Sequence, residues 1–406
     1  MPSQPSQQPD AIVPSTNVPL TTESLDDLPG PLQFWALGLT TVGGQFLGWN
    51  AAWVKGFLPF FASQKNINGG SYCLTRAVLG FYPGFVLACL EIVQGAVSIF
   101  YVGNFLTTAF AWSPNWQPLI LLILYASSSA LLHIRAKFVF ELVLVFAILG
   151  TLVPALANAV AVDPTTNATR WSLGPLPTSE LGMLPLTTYA YTGVESLAVV
   201  TGFAHDPRYA IPRGSVWAVW TLFLFNLAFL VVVAAFPPGI SSSVHDTYVL
   251  NTGFRLGVGL SVTAAQWLIL PSQMGMALGF MIAYARLTQA FADLHLLPSF
   301  LRLHGHCTTV HATVDSPAFG ATHPNISILA ATVVYAGLTY GFVLLRTTYK
   351  VETMPHGYTS SYGVAGAYFV WTVYAILAFS VVGRFQSDSG LAVGCLDVLV
   401  LVLSVY

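Results

Sequence analysis

Residues 189–214 read YAYTGVESLAVVTGFAHDPRYAIPRG, and the fold turns on this stretch. It opens in an apolar segment that carries a glycine and an acid, Gly193 and Glu195. It leaves that segment through a short basic stretch, Asp206-Pro207-Arg208 to Ile211-Pro212-Arg213-Gly214, which predicts a loop. A carboxylate costs roughly 3 kcal/mol or more at the centre of a bilayer, so a membrane segment that keeps one uses it. A glycine two residues before the acid is a place where a helix can lose its regular hydrogen bonding and offer bare backbone to a ligand.

The composition points to a membrane setting. Of 406 residues, 55% are hydrophobic and 7% charged, where a soluble domain carries roughly 25% charged residues. So few charges cannot cover a globular surface, and the natural solvent is lipid. The formal net charge is −2 and there is no basic patch, which excludes nucleic acid as a partner. Cys73, Cys89, Cys307 and Cys395 are scattered with no CxxC pair, and read as small apolar residues. His304, His306, Cys307 and His311 match no standard zinc spacing, so no metal is expected. Residues 1–30 are rich in Pro, Ser, Gln and Thr, which predicts a disordered tail that is neither a signal nor a transit peptide.

A bilayer core of roughly 30 Å needs about 20 apolar residues per helix, and on that ruler the chain holds about ten segments. They are Leu32 to Ser63, Ala77 to Phe110, Pro118 to Leu132, Phe138 to Val162 and Leu181 to Phe203, then Val216 to Phe236, Leu256 to Tyr284, Ile326 to Leu345, Tyr362 to Val382 and Leu391 to Tyr406. They are read as helices, because an isolated segment in lipid must satisfy its own backbone. The alternating strands of a β-barrel are absent from the pattern. Basic stretches at His133 to Lys137, at Arg208 and Arg213, and from Arg286 to His323 fall on one side if the chain alternates, which makes that side cytoplasmic. The other side carries the sequon Asn167-Ala168-Thr169, so Asn167 is a glycosylation candidate.

Four blocks carry a family resemblance. Gly43-Gly44-Gln45-Phe46-Leu47-Gly48-Trp49-Asn50 resembles the broken first helix of amino acid–polyamine–organocation (APC) superfamily permeases. It is most similar to the ethanolamine-permease branch, whose pattern is close to G-D-F-x-G-W-N. Gly69-Gly70-Ser71-Tyr72 with Arg76 and Gly80 resembles the start of the third helix. Tyr189 to Gly214 resembles the sixth helix and the loop after it. Tyr284-Ala285-Arg286-Leu287 through Ala292-Asp293 and Leu296-Leu297-Pro298, then His323-Pro324-Asn325, resembles the loop after the eighth helix and a proline-led ninth.

The resemblance implies an all-α integral membrane fold of the inverted-repeat (LeuT-like) transporter type. The first repeat covers 31–162, the second 181–384, and residues 391–406 begin a further helix. Helices one and six are broken near the midplane. Amides at the breaks hold an anionic substrate group and half-helix dipoles add to the field. The implied site comprises Gly43, Gly44, Gln45, Gly48, Trp49 and Asn50 at the first break, and Ala190, Tyr191, Thr192, Gly193 and Glu195 at the second. Glu195 either meets a substrate cation, relays a proton or is a structural carboxylate. Trp49 either closes over the substrate or anchors at the interface. Glu91 supplies a structural or gating hydrogen bond, Asp206 and Arg213 form a turn and gate brace, and Glu141 pairs with Lys137 four residues earlier.

The chain also departs from the family. Between the first two blocks, Ser63 is followed by Gln64-Lys65-Asn66-Ile67-Asn68, which leaves no room for the family's second helix. Either the first segment inserts backwards, or it dips in and returns, or the sequence lacks an exon, of which the last is preferred. Twelve helices are usual and the chain closes in the eleventh, which predicts a C-terminal truncation. Gln45 stands where the closest branch has an acid, which weighs against a cationic amine.

The function expected is secondary transport of amino acids or related small amines by alternating access. No cofactor is expected, coupling is to H⁺ or Na⁺ if to any ion, and the membrane expected is the plasma membrane, with an endomembrane as the alternative. A transport-dead or regulatory paralogue is the second reading. A multipass membrane enzyme would need a His paired with an acid deep in a span, and none of the nine His stands there. The segment number and the two glycine breaks argue against a seven-helix receptor or channel.

Overall fold

The computed structural model describes residues 28–41, 75–76, 78–132, 136–161, 193–204, 206–235, 250–293, 296, 324–349 and 362–382. Among these residues the regular elements are all helical, as expected. They are α1 (Pro31–Thr41), α2 (Phe81–Ala109), α3 (Gln117–Leu132), α4 (Ala136–Ala161), α5 (Pro207–Ala235), α6 (Leu250–Val258), α7 (Val262–Asp293), α8 (Pro324–Thr347) and α9 (Gly363–Val382). Two 3₁₀ turns, Val194–Ala198 and Thr201–Phe203, precede α5. Residues 1–27 of the tail, residues 42–74 with the first break, residues 162–192 with Asn167, and residues 391–406 lie outside the described residues.

Proline sets three helix starts, Pro31, Pro207 and Pro324. Its fixed φ suits the first helical position, where its missing N–H is not needed. At α1 the amide of Gly30 also donates to Gln33 Oε1 at 3.1 Å, the returning half of a capping box.

From Ala36 onward α1 is enclosed: past its exposed first turn, where Leu32 faces outward, the helix is buried through Thr41. Phe34, Ala36 and Leu37 through Thr41 are buried, which means that other elements surround the helix rather than flank one face of it. Those elements are α4, α5, α7 and the first 3₁₀ turn. Glycine makes the approach possible. A Cβ on Gly214 would stand 2.6 Å from Phe34 Cβ, one on Gly38 2.9 Å from Ala218 Cβ, and one on Gly275 3.1 Å from Thr40 Cβ. Small residues that let backbones close in are how helices associate where lipid removes the hydrophobic drive.

The outer surface is apolar. Leu122 and Ile123 on α3, Leu156 on α4, Trp220 and Leu224 on α5, and Phe369 and Ile376 on α9 are exposed. A band of large apolar side chains facing outward from packed helices fits lipid rather than water. Among the described residues, three helical stretches are long and apolar enough to cross a membrane: Lys137–Asn158, Val262–Thr288 and Ala330–Thr347. Outside the core, α8 packs on α9 and on α2, and α6 on α4.

Three boundaries differ from the sequence expectation. The stretch Asp206 to Gly214, expected as a loop, is the first turns of α5. The Asp206 carbonyl accepts from the amides of Tyr209 and Ala210 at 3.2 and 2.8 Å, so Asp206 caps a helix that Pro207 begins. The segment Leu256 to Tyr284 is two helices. Gly259, at φ +73°, stops α6 in the left-handed region, and Ser261 Oγ accepts from the Ala264 amide at 3.3 Å to start α7. The loop expected after Tyr284 is helical to Asp293, because nothing in that run breaks a helix.

Candidate functional site

The site lies at the last described turn of α1. Thr40 Oγ1 donates to the Ala36 carbonyl at 2.9 Å and Thr41 Oγ1 to the Leu37 carbonyl at 2.6 Å. The two hydroxyls thereby fold back on their own helix, and neighbours meet Thr40 through its Cβ and methyl and Thr41 through its methyl and its hydroxyl oxygen. A side chain on Gly279 would run into Thr41 Oγ1, and one on Gly275 would meet Thr40 Cβ. Gly275 and Gly279 are one turn apart on α7, so a single glycine face cradles the last described turn of α1.

Gly193 comes to the same place from the other half of the chain. Its φ is +108°, in the region that favours glycine. A Cβ there would stand 2.7 Å from Thr41 Cγ2, 3.2 Å from the Thr41 carbonyl oxygen and 3.2 Å from Phe280 Cζ. The chain then winds into 3₁₀ turns rather than an α-helix. The Gly193 carbonyl accepts from the Ser196 amide at 3.1 Å and from Ser196 Oγ at 2.6 Å, and the Val200 and Thr201 carbonyls accept from Phe203 and Ala204. From Gly193 on, the described part of the segment Leu181 to Phe203 is 3₁₀ turns, and residues 181–192 lie outside the described residues.

An aromatic ladder ties the elements below this junction. The Arg286 guanidinium of α7 lies over the Phe203 ring at 3.8 Å. Phe203 meets Phe140 of α4 edge-on at 5.8 Å, and Phe140 meets Phe34 of α1 at 5.5 Å. These contacts join α7, the second 3₁₀ turn, α4 and α1 in one run, and a cation over a ring contributes about 0.5–2 kcal/mol.

The other expected residues divide as follows. Gly43, Gly44, Gln45, Gly48, Trp49, Asn50, Tyr191 and Thr192 lie outside the described residues. The backbone of Glu195 is in the first 3₁₀ turn. Glu91 is buried in α2 at 8% exposure. Asp206 and Arg213 stand at the start of α5, where Arg213 is exposed, lies over the Tyr209 ring at 4.1 Å and donates to the Tyr209 hydroxyl. The residues that sequence reasoning missed are Thr40, Thr41, Gly275, Gly279 and Phe280. The signal for two of them was present: Gly275-Met276-Ala277-Leu278-Gly279 is a G-x-x-x-G pattern, which marks close helix contact in a membrane.

Comparison with known families places residues 49–389 in the amino acid permease family. The match takes in Trp49, Asn50, Gly193 and everything from α2 to α9, while Gly43 to Gly48 stand ahead of it. A comparison with curated proteins finds no match. The chain belongs to the amino acid permease family, and it is accordingly an integral membrane protein of a transporter family, not of an enzyme family.

Proposed function

From that membership we propose that the protein carries a small amino acid or related amine across the membrane by alternating access, with the substrate held where α1 ends against the Gly193 turn. The observation that carries the reading is the approach of Gly193 to Thr41, with a 2.7 Å gap from a would-be Cβ to Thr41 Cγ2. On this reading the two segments are broken helices from the two halves of the chain, meeting with glycine on one side and a helix end on the other. Half-helix ends facing each other at mid-membrane are suited to a zwitterion, since one offers amides and the other carbonyls. Gly43 to Asn50 continue the chain from α1 and complete the site on this reading. Asp206 and Arg213 act at the cytoplasmic start of α5.

Counterflow in proteoliposomes tests it. Purified protein loaded with unlabelled amino acids is expected to accumulate at least one labelled amino acid above protein-free vesicles. Repeating the measurement with a proton or a sodium gradient assigns the coupling ion. Folded protein that exchanges none of them would overturn the proposal in favour of a transport-dead paralogue.

A further inference from the structure

Gln273 is wholly buried, at 0% exposure, and among the described residues neither Nε2 nor Oε1 of its amide has a hydrogen-bond partner. Two donor positions and a carbonyl oxygen are thus closed off from water and unused. Such a group is costly unless something occupies it. Its place on α7 says what that is.

Three relationships fix the place. First, the apolar stretch of α7 runs Val262–Thr288, so its centre is Gly275 and Gln273 stands about 3 Å along the axis from it. Second, Gly275 packs on Thr40 and Gly279 on Thr41, so Gln273 stands within one turn of that contact in height, on the opposite side of α7. Third, Phe280 follows Gln273 by seven residues, two helical turns, and shares its face. The Phe280 ring is the one that reaches the Gly193 turn.

The partner helix across that face is α2. Phe85 meets Phe291 at 5.3 Å and Phe110, one residue past α2, meets Trp267 at 4.4 Å, so α2 and α7 run antiparallel. Gln273 is six residues in from Trp267. That depth on α2 is the stretch of Val102 and Phe105, both fully buried and apolar. The amide accordingly stands in an apolar setting at mid-span, on the α2 side of α7.

We infer that Gln273 is a specificity-determining residue, and that its amide holds the uncharged polar side chain of the substrate, a carboxamide or hydroxyl. The inference rests on the transport reading above. A neutral group with both donors and an acceptor matches a ligand that has both, and it gives a hydrocarbon side chain nothing. A site built to hydrogen-bond a substrate group rejects the analogue that lacks it, because its own polar atoms are then left bare.

Counterflow with labelled L-glutamine, L-serine and L-leucine tests it, on the full chain and on Gln273→Met, which keeps length and volume. The variant is expected to raise the KM for glutamine or serine about tenfold, with the KM for leucine unchanged. Without substrate its melting temperature stays level or rises, since an unused buried amide has been replaced by an apolar side chain. The thermal shift that glutamine gives the natural protein is lost. An unchanged ratio of glutamine to leucine KM overturns the inference, as does natural protein that exchanges leucine but neither polar amino acid. A substrate-free melting temperature several degrees lower overturns it too, in favour of a structural amide. Natural protein that exchanges none of the three, or any other amino acid, takes down the transport reading itself and this inference with it.

Discussion

Thr41 and Gly193, 152 positions apart in the chain, touch so closely that a methyl on Gly193 would stand 2.7 Å from Thr41 Cγ2. Two costs are attached to that methyl. One is the left-handed φ of +108°, worth about 1–2 kcal/mol for a residue with a Cβ. The other is the collision, worth about 1–3 kcal/mol. Thr41→Ser removes the Cγ2 and keeps the hydroxyl that donates to Leu37. In a double-mutant cycle read by thermal unfolding in detergent, Gly193→Ala and Thr41→Ser are expected to be non-additive. The pair should recover about 1 kcal/mol relative to the sum of the singles. Strict additivity would mean that the two residues do not meet.

The same reasoning sorts other glycines. Gly214 has Phe34 Cβ at 2.6 Å and the Trp35 nitrogen at 2.9 Å from its would-be Cβ, while Gly341, inside α8, has nothing within 4 Å. Gly214→Ala is expected to lower stability by about 1–3 kcal/mol by pushing α1 off α5. Gly341→Ala is expected to raise it by about 0.5–1 kcal/mol, because alanine has less freedom to lose. Melting temperatures of the two variants moving in opposite directions is the outcome that fits.

Lipid exposure is read from Trp220, on the outward face of α5 at 56% exposure, against Trp35, whose Nε1 donates to Thr221 Oγ1 at 3.0 Å. In variants that keep one tryptophan each, bilayers with brominated acyl chains are expected to quench Trp220 strongly and Trp35 weakly. Equal quenching would contradict the packing of α1 inside the bundle.

On α3, Leu122 is 62% exposed. Leu122→Arg puts a cation into hydrocarbon at about 2.5–3.5 kcal/mol if the position is central, and Leu122→Phe costs little. The yield of folded protein by size-exclusion chromatography is expected to fall for the arginine variant alone.

Much of this was legible in the sequence, and for identifiable reasons. The apolar runs gave the helical class, because lipid leaves a lone segment no other way to satisfy its backbone. Gly193 marked an interruption, because a glycine among β-branched and aromatic neighbours is otherwise a weak choice, and it takes a φ that a Cβ would resist. What was misread was the helix ends. Asp206 to Gly214 looked like a loop because two prolines and two arginines sit in it, yet Pro207 opens a helix and Pro212 is carried inside it. The division at Gly259 was hidden in a continuous apolar run. The part of the site made by Thr40, Thr41 and Phe280 was not legible at all. A threonine pair and a phenylalanine are ordinary in a membrane helix, and only the meeting of α1 with α7 gives them a role.

The central claim is that the meeting of α1 with the Gly193 turn is where transport happens, and Gly202 supplies its control. Gly202 lies in the next 3₁₀ turn, with nothing within 4 Å of its would-be Cβ. The measurement is amino acid counterflow by the natural protein, Gly193→Val and Gly202→Val, each reconstituted after its fold is checked by size-exclusion chromatography. The account predicts exchange by the natural protein and by Gly202→Val, and a loss of about tenfold or more in Gly193→Val, matching roughly 1.4 kcal/mol or more of lost binding or closure. Folded Gly193→Val that exchanges amino acids as fast as Gly202→Val would contradict it.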